Sequence, residues 1–389
     1  MPDSPSRVVT TLSSEPSFTL GIEEEYFLVD MATHAPVSSD HGGLMQAFAA
    51  ELGEQVAREF MNSQVEINTV VCSRIDEARS ELTRLRGVLS QLARKRGVAL
   101  AAAATHPFAR WGDQNVAEGH RYRQIAQDLA GVGRRLNTCG MHVHVAIEDD
   151  DLRIHLMNEV RDFLPLLLAL STSSPFWQGD DTGLMSYRLA VTDAQPRSGL
   201  PESFASWREY EQAIGALARS GAVEDPSKIW WDLRPSTRFP TLELRITDVC
   251  TRVEDALTIA AIFVCLCRML YRLRRDGLTW HAYPLLLLNE NRWRAQRYGV
   301  GGSLIDYSQA RLVPCAELVD RLIELVERDA DALECTAEVL RARTIASEGT
   351  SADRQLACHF EAVQAGATSQ KALHTVVSHL IKETCPGLA

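Results

Sequence analysis

Residues Gly21–Asp30 read GIEEEYFLVD, an apolar stretch that holds three consecutive carboxylates. Its isoleucine, aromatic, leucine and valine residues favour a β-strand. Because side chains alternate between the two faces of a strand, Glu23 and Glu25 share one face and Glu24 lies on the other. Burying either carboxylate of that pair without a partner would be costly, since a buried charge loses its hydration. The stretch therefore predicts a strand with one face that binds a divalent cation or a cationic ligand.

The composition limits the class of protein. The chain has 389 residues, of which 46% are hydrophobic and 23% charged, as in ordinary globular proteins with a large core. A net charge of -11 argues against nucleic-acid binding. Nine scattered cysteines without CxxC pairs favour free thiols in a reducing compartment. The N-terminus lacks a signal-peptide pattern and the apolar runs are short, so we expect a soluble cytoplasmic protein that does not bind membranes.

The distribution of residue types predicts the domain organisation. Residues 1–17 are rich in Ser, Pro and Thr and are expected to form a flexible leader. Residues 18–385 are expected to form a single catalytic domain, which forms a sheet up to about residue 250 and is helical over 251–385. The long apolar helices of the C-terminal part favour a homodimer.

Two further segments alternate polar and apolar residues, as strands with one polar face do. The segment 60–71 places Gln64 and Glu66 on its polar face. The segment 141–147 does the same with His142 and His144. The polar face of the predicted sheet therefore gains amide, carboxylate and imidazole groups.

The segment 229–248 predicts a hairpin, and a turn-rich segment precedes it. Thr241–Asp248 places Glu243 and Arg245 on its polar face, and Arg234 ends the strand before the turn. The segment 171–204 is long and rich in Gly and Pro, and such loops are usually functional. It carries Arg188, which we expect to meet an anionic ligand.

The remaining pattern is helical, so the sequence predicts an α+β protein. Amphipathic periodicity is clear over 73–96, and from residue 252 onward nearly every segment is helical. The predicted C-terminal helices are 252–275, 281–298, 315–345, 352–364 and 369–383. With so many helices, one face of the sheet is expected to be covered, and an acidic second face implies a lined cavity.

The predicted donor set suits a hard cation. Any one Glu or His on a strand is usually just solvated, but several polar-faced strands together favour a site. Carboxylates with amide oxygens and one or two imidazoles suit Mg²⁺ or Mn²⁺, whereas zinc prefers His and Cys. Acid-held Mg²⁺ beside arginines is an arrangement that handles phosphate. Neither GxxxxGK[ST] nor GxGxxG occurs, which excludes a P-loop and a Rossmann site by motif.

Several short motifs occur in a characteristic order over most of the chain. They are Gly21–Glu25, Val65–Thr69, Thr105–Phe108, Gly140–Val145, Ser173–Thr182, Trp231–Ser236, Leu242–Arg245, Asn291–Trp293 and Arg297–Gly299. As an ordered set they resemble the bacterial glutamate–cysteine ligase type 2 family, also called carboxylate–amine ligases. The resemblance extends to about residue 302.

The resemblance implies a fold, a reaction and roles for residues. The fold would be that of the glutamine synthetase and guanido kinase catalytic domains, a curved, mainly antiparallel sheet lined with acidic residues and packed by helices. The reaction would use ATP to join the γ-carboxylate of glutamate to cysteine or another amine through a γ-glutamyl phosphate. By this resemblance the Mg²⁺ ligands would be Glu23, Glu25, Glu66 and Glu243. The nucleotide or its metal would be contacted by Gln64 and by His142 or His144, and phosphate or glutamate by Arg188, Arg234 and Arg245.

Two departures from the family pattern stand out. Glu24 occupies a position where the family often has an apolar residue, so we expect it to face away from the site and to pair with an arginine. The segment 189–193 is atypical as well, which leaves the amine acceptor open.

Other functions remain open at this point. A zinc-dependent amide hydrolase would use His106, His142, His144 and the glutamates. A guanidino phosphotransferase would share the implied fold, and a non-catalytic nucleotide-binding member of the family is a further alternative.

Overall fold

The main sheet is built around the strand predicted at residues 21–30. The computed structural model describes residues 14–39, 41–117, 120–224 and 226–387. The predicted leader lies outside these ranges up to residue 13, and its last residues, Glu15 and Ser17, contact Arg268 and Glu148. The strands are β1 (Leu20–Asp30), β2 (Val56–Arg58), β3 (Gln64–Asn68), β4 (Val98–Ala101), β5 (Met141–Ala146), β6 (Phe176–Trp177), β7 (Asp180–Asp181), β8 (Ser198–Gly199), β9 (Trp230–Trp231), β10 (Leu233–Pro235), β11 (Thr241–Leu244), β12 (Ser303–Asp306) and β13 (Arg311–Pro314).

Strand β1 organises the sheet because it is eleven residues long and pairs along both edges. The strand order is β10–β11–β5–β1–β3–β2, and every pair is antiparallel. One edge of β1 pairs with β5 through its first half and with β4 through its second half. The α+β class and the mainly antiparallel sheet are confirmed.

The described residues also form α-helices, several of which pack against the apolar side of this sheet. They are α1 (Leu44–Leu52), α2 (Ile75–Arg94), α3 (His120–Leu129), α4 (Asp150–Val160), α5 (Leu164–Ser171), α6 (Tyr187–Thr192), α7 (Trp207–Arg219), α8 (Val253–Arg275), α9 (Leu285–Tyr298), α10 (Cys315–Ala332), α11 (Thr336–Leu340), α12 (Ala342–Glu348), α13 (Ser351–Gln364) and α14 (Ser369–Thr384). One contiguous cluster of buried apolar side chains runs from Phe18 to Leu380. Helix α8 is long and apolar enough to cross a membrane, but most of it is buried inside the protein, as in a core helix.

The C-terminal region differs from the sequence prediction in two places. The predicted helix 315–345 is divided into α10, α11 and α12. The first break occurs where Glu334 adopts φ 54° and the N–H of Cys335 bonds back to the carbonyl of Ala330. This left-handed ending is a common helix stop, and here a glutamate fills the position that glycine usually takes. The hairpin β12–β13 was not predicted, since neither Ser303–Asp306 nor Arg311–Pro314 alternates polar and apolar residues.

The expectation that Glu24 faces away from the site and pairs with an arginine is confirmed. Glu24 is fully buried and accepts hydrogen bonds from Arg86 Nη2 at 2.6 Å and Nε at 3.0 Å. The hydroxyl of Tyr26 donates to the same carboxylate. Arg86 also donates to the carbonyls of Cys250 and Thr251, which precede α8. The pair therefore ties β1 to α2 and α8.

Residue His106, part of one family motif, is buried away from the polar face of the sheet. Its Nε2 donates to the carbonyl of His34 at 3.0 Å, and its Nδ1 accepts from the N–H of Ala109 at 3.1 Å. Its ring packs edge-on against Phe27 and Phe108. Burial lowers the pKa of His106 to about 3, because a charged imidazole would be desolvated there.

This neutral histidine should make stability depend on pH. The folded pKa of about 3 lies below the ordinary value of about 6.5, so the unfolded chain binds the proton first as the pH falls. The stabilising effect is complete above pH ~6.5 and is lost progressively down to pH ~3, with a loss of roughly 2 kcal/mol between pH 7 and pH 5. Urea unfolding at pH 7 and pH 5 measures it. The variant His106→Asn, which keeps an acceptor near Nδ1, should shrink that difference, whereas the exposed-site control His281→Asn should not.

Candidate active site

The polar face of the main sheet forms the floor of a pocket of about 450 Å³. All ten site residues predicted from the sequence line this pocket. They are Glu23, Glu25, Gln64, Glu66, His142, His144, Arg188, Arg234, Glu243 and Arg245. The register explains the grouping, because Glu25 lies opposite Glu66, and Glu23 lies opposite His142. Cross-strand neighbours on one face are close enough to act together.

One group of carboxylates, named here the Glu25 cluster, consists of Glu25, Glu59 and Glu66. One oxygen from each lies within 4.8 Å of the others. Burial, together with the charges of Glu23 and Glu25, raises the pKa of Glu66 to about 7. Burial and the charges of Glu25 and Glu66 likewise raise the pKa of Glu59 well above its ordinary value. The three carboxylates repel one another, and a divalent cation would relieve that repulsion.

The second group, named here the Glu23 cluster, consists of Glu23, His144 and Glu243, again with ligand atoms within 4.8 Å. Glu23 Oε1 lies 3.2 Å from His144 Nε2, and Glu23 Oε2 lies 2.9 Å from His142 Nδ1. Burial opposes ionisation of Glu23, but hydrogen bonds from His142 and His144 outweigh it and hold the pKa of this carboxyl well below its usual range. His144 Nδ1 lies 2.9 Å from Thr241 Oγ1, which fixes the ring.

Two of the predicted arginines are paired with Glu243. Arg234 donates from Nε at 2.9 Å and from Nη2 at 3.2 Å, and Arg245 donates to the same carboxylate. Burial opposes ionisation, yet Arg245 and Arg234 lower the pKa of Glu243 far below its ordinary value. Arg234 also donates to the carbonyl of Ile229 at 2.6 Å. The two guanidinium groups therefore hold one ionised carboxylate in place.

The third arginine, Arg188, reaches the pocket from α6. Its guanidinium donates to the carbonyls of Arg245 at 3.2 Å and Ile246 at 3.3 Å. It passes directly over Gly140, where an added Cβ would lie 2.5 Å from Nη2. A larger residue at 140 would therefore displace the guanidinium of Arg188 from this position.

Gln64 lines the pocket, and so does Glu59, which was not predicted from the sequence. The Nε2 of Gln64 donates to the carbonyl of Thr138 at 2.7 Å and to the sulfur of Cys139 at 3.3 Å, so its amide is already engaged. Glu59 follows β2, which has only three residues and no detectable period. The one sequence feature that could have indicated Glu59 is its position directly before the predicted strand 60–71.

The structure removes one of the metal ligands that the zinc-dependent hydrolase alternative would need. His106 does not line the pocket, and both of its ring nitrogens are bonded to backbone groups. Each cluster among the described residues contains at most one imidazole. Carboxylate-dominated sites fit Mg²⁺ or Mn²⁺ better than zinc, and these donor sets therefore fit the metal that the resemblance implies.

The architecture is that of solved ligase structures. A glutamate–cysteine ligase from Francisella tularensis, determined in complex with AMP, superposes with a TM-score of 0.67 at 13% identity and covers 95% of this chain and 90% of that one. A bifunctional glutathione synthetase from Pasteurella multocida superposes with a TM-score of 0.68 at 14% identity, covering 94% of this chain and 52% of that one. At such low identity the likeness establishes the fold, and the fold is that of this class of ligases.

The chain belongs to the glutamate–cysteine ligase family 2, whose pattern matches residues 19–374. A Rhodospirillum rubrum protein with the provisional name glutamate–cysteine ligase 2 is 53% identical over 378 residues, or 96% of this chain and 97% of the relative. A Jannaschia protein with the same provisional name is 50% identical over 370 residues, or 95% and 97%. The protein is accordingly a carbon–nitrogen ligase that joins a carboxylate to an amine.

Proposed function

We propose that the protein joins the γ-carboxylate of glutamate to the amino group of cysteine or another amino compound, with ATP converted to ADP and phosphate. The observation that carries this proposal is the pair of carboxylate clusters, which lie in one pocket with five arginines among its lining residues. The names of the relatives support glutamate and cysteine as substrates. The AMP bound to the Francisella tularensis enzyme supports a nucleotide.

The chemistry needs activation because a carboxylate is a poor electrophile. An oxygen of the γ-carboxylate attacks the γ-phosphorus of ATP, the bond to the bridging oxygen breaks, and ADP leaves. The resulting γ-glutamyl phosphate has a good leaving group on its carbonyl carbon. The amine nitrogen then attacks that carbon, phosphate departs, and the nitrogen loses a proton. A site that excludes water protects the acyl phosphate from hydrolysis.

In this proposal the two clusters hold the metal ions. Glu25, Glu59 and Glu66 would hold one Mg²⁺ or Mn²⁺, and the Glu23 cluster would hold a second. Such ions, when bound, neutralise the negative charges that otherwise keep two anions apart. His142 orients the carboxylate of Glu23 through its 2.9 Å contact.

The remaining predicted residues position the reacting groups. Arg234 and Arg245 keep Glu243 ionised and fixed in the pocket, and Arg245 would contact the ligand with the part of its side chain that lines the pocket. Arg188 adds positive charge where the phosphoryl group is transferred, and Gln64 forms part of the pocket wall. Preorganised charges of this kind stabilise a transition state without reorganisation at the moment of reaction.

The proposal also covers the type of substrate, the cellular location and the oligomeric state of the protein. Small-molecule substrates, a cytoplasmic location and nine free cysteines, eight of them buried, agree with one another. We retain the homodimer as a proposal, which gel filtration with light scattering can test.

The deciding experiment is incubation with ATP, Mg²⁺, glutamate and a panel of amines that includes cysteine. We expect ADP release that requires glutamate and an amine, and mass spectrometry should show a γ-glutamyl amide. Omission of Mg²⁺ should stop ADP release, because the uncompensated clusters cannot then bind a polyanion.

Each alternative gives a different result in that experiment. Amide hydrolysis without ATP would establish the hydrolase, and a stable phosphorylated guanidino product would establish the phosphotransferase. If no ADP is released with any acceptor, the proposed function is contradicted and the non-catalytic nucleotide-binding alternative remains.

A further inference from the structure

One arginine at the rim of the pocket presents a guanidinium group that is available to bind a ligand. Arg238 lies in the turn between β10 and β11, is exposed and lines the pocket. Among the residues that the structure describes, its guanidinium makes neither a hydrogen bond nor an ion pair. An exposed, unpaired guanidinium can bind an anion without first breaking an interaction and at a small cost of desolvation.

The other pocket arginines are already engaged. Arg234 and Arg245 hold Glu243, and Arg188 donates to two backbone carbonyls. Arg58, on the strand β2 side of the pocket, has a partner as well. A ligand that recruited one of these groups would compete with an existing bond, and in the case of Arg234 or Arg245 it would weaken the restraint on Glu243.

The turn holds Arg238 close to the Glu23 cluster. Ser236 Oγ accepts from the backbone N–H of Arg238 at 3.3 Å and of Phe239 at 3.4 Å. The Phe239 ring is 53% exposed, and its centroid lies 6.4 Å from that of His144 in an edge-to-face arrangement. The Arg238 guanidinium carbon lies 5.6 Å from the centroid of the Phe239 ring, as in a cation–π contact.

We propose that Arg238, supported by the ring of Phe239, binds the terminal phosphates of the nucleotide; this inference rests on the proposed function. A triphosphate carries several charged oxygens along an extended chain, so it can contact a metal-binding cluster and the rim together. The planar guanidinium matches two phosphate oxygens at once.

The variant Arg238→Ala should bind MgADP and MgATP about tenfold more weakly, the effect of one charge-assisted hydrogen bond at a partly exposed site. AMP lacks the terminal phosphates and should bind wild type and variant equally. Arg238→Lys should recover part of the loss, since it restores the charge without the planar fork. Isothermal titration calorimetry measures all three, and Arg208→Ala, at an exposed position in α7, is the matched control.

The ring of Phe239 is tested separately. Phe239→Leu keeps apolar bulk but removes the aromatic face, so it should weaken MgADP binding by about threefold. In the Arg238→Ala background the same change should have little effect, because the ring acts through the guanidinium. Independent effects of the two changes would contradict the support that we assign to Phe239.

The outcomes separate this inference from the proposed function. A wild-type protein that binds neither MgADP nor MgATP would overturn the proposed function itself. A wild type that binds MgADP, with Arg238→Ala binding it equally well, would overturn only the inference. A rise confined to the KM for glutamate, or an equal loss of AMP binding, would overturn the assignment of Arg238 to the terminal phosphates.

Discussion

Replacing Glu66 by glutamine should reduce ATP-dependent turnover on the order of a hundredfold or more, since even residues that only support a metal ligand cost 10- to 100-fold when changed. Glutamine can still accept the 2.9 Å hydrogen bond from Asn68, so the shape of the site is kept and only charge is lost. The free protein should be as stable as wild type or slightly more so, because one of three repelling carboxylates is removed. ADP release and thermal unfolding measure the two effects.

Metal binding gives a second measurement for Glu66. Mg²⁺ should raise the unfolding temperature of wild type and raise that of Glu66→Gln much less. The solvent-exposed change Glu290→Gln is the control and should resemble wild type in both measurements. Glu243→Gln provides a contrast, because it leaves Arg234 and Arg245 unpaired and should lose stability together with turnover. Full turnover by Glu66→Gln would refute the metal-binding role of the Glu25 cluster.

Replacing Arg86 by methionine should lower the free energy of unfolding by about 3–5 kcal/mol, the cost of leaving a buried charge without its partner. Glu24 is fully buried, and its carboxylate would keep only the hydrogen bond from Tyr26. The carbonyls of Cys250 and Thr251 would also lose their donor. Urea unfolding at pH 7 measures the change.

The control for Arg86 is Arg84, which lies two residues earlier on the same helix, α2. Arg84 makes an exposed ion pair with Glu81, so Arg84→Met should cost less than about 1 kcal/mol. The double change Glu24→Leu with Arg86→Met removes both charges and should be more stable than Arg86→Met alone. If the two single changes simply added in the double variant, Glu24 and Arg86 would not be energetically coupled.

Strand periodicity was enough to assign residues to faces of the sheet. Alternation separated Glu24 from Glu23 and Glu25, and burial of Glu24 against Arg86 confirms it. The same rule placed eight predicted site residues on one face, and all eight line the pocket: Glu23, Glu25, Gln64, Glu66, His142, His144, Glu243 and Arg245. Arg188 lies on α6, outside the sheet, and strand alternation did not predict it. The period of a strand is two, so a short run of residues already defines both faces.

That periodicity could not predict which side chains from different segments would pair with each other. The arginines were expected to meet a ligand, but Arg234 and Arg245 turn out to meet Glu243, because the register sets Arg234 opposite Glu243. The division of the site into two clusters follows from the same register and includes Glu59, which lies outside any periodic segment. Periodicity reports the face on which a side chain lies, whereas pairing is decided by turns and by the core.

The two functional faces of strand β1 make this part of the chain sensitive to insertions and deletions. It carries Glu23 and Glu25 on one face and Glu24 on the other, and both of its edges are paired. A single inserted or deleted codon before Glu23 would exchange the two faces, turning Glu24 towards the pocket and its neighbours towards Arg86. A point substitution changes one side chain of this strand, whereas a change of length moves every following side chain to the opposite face. A library of one-residue insertions should therefore be depleted across 20–30 far more strongly than across the exposed turn at 31–33.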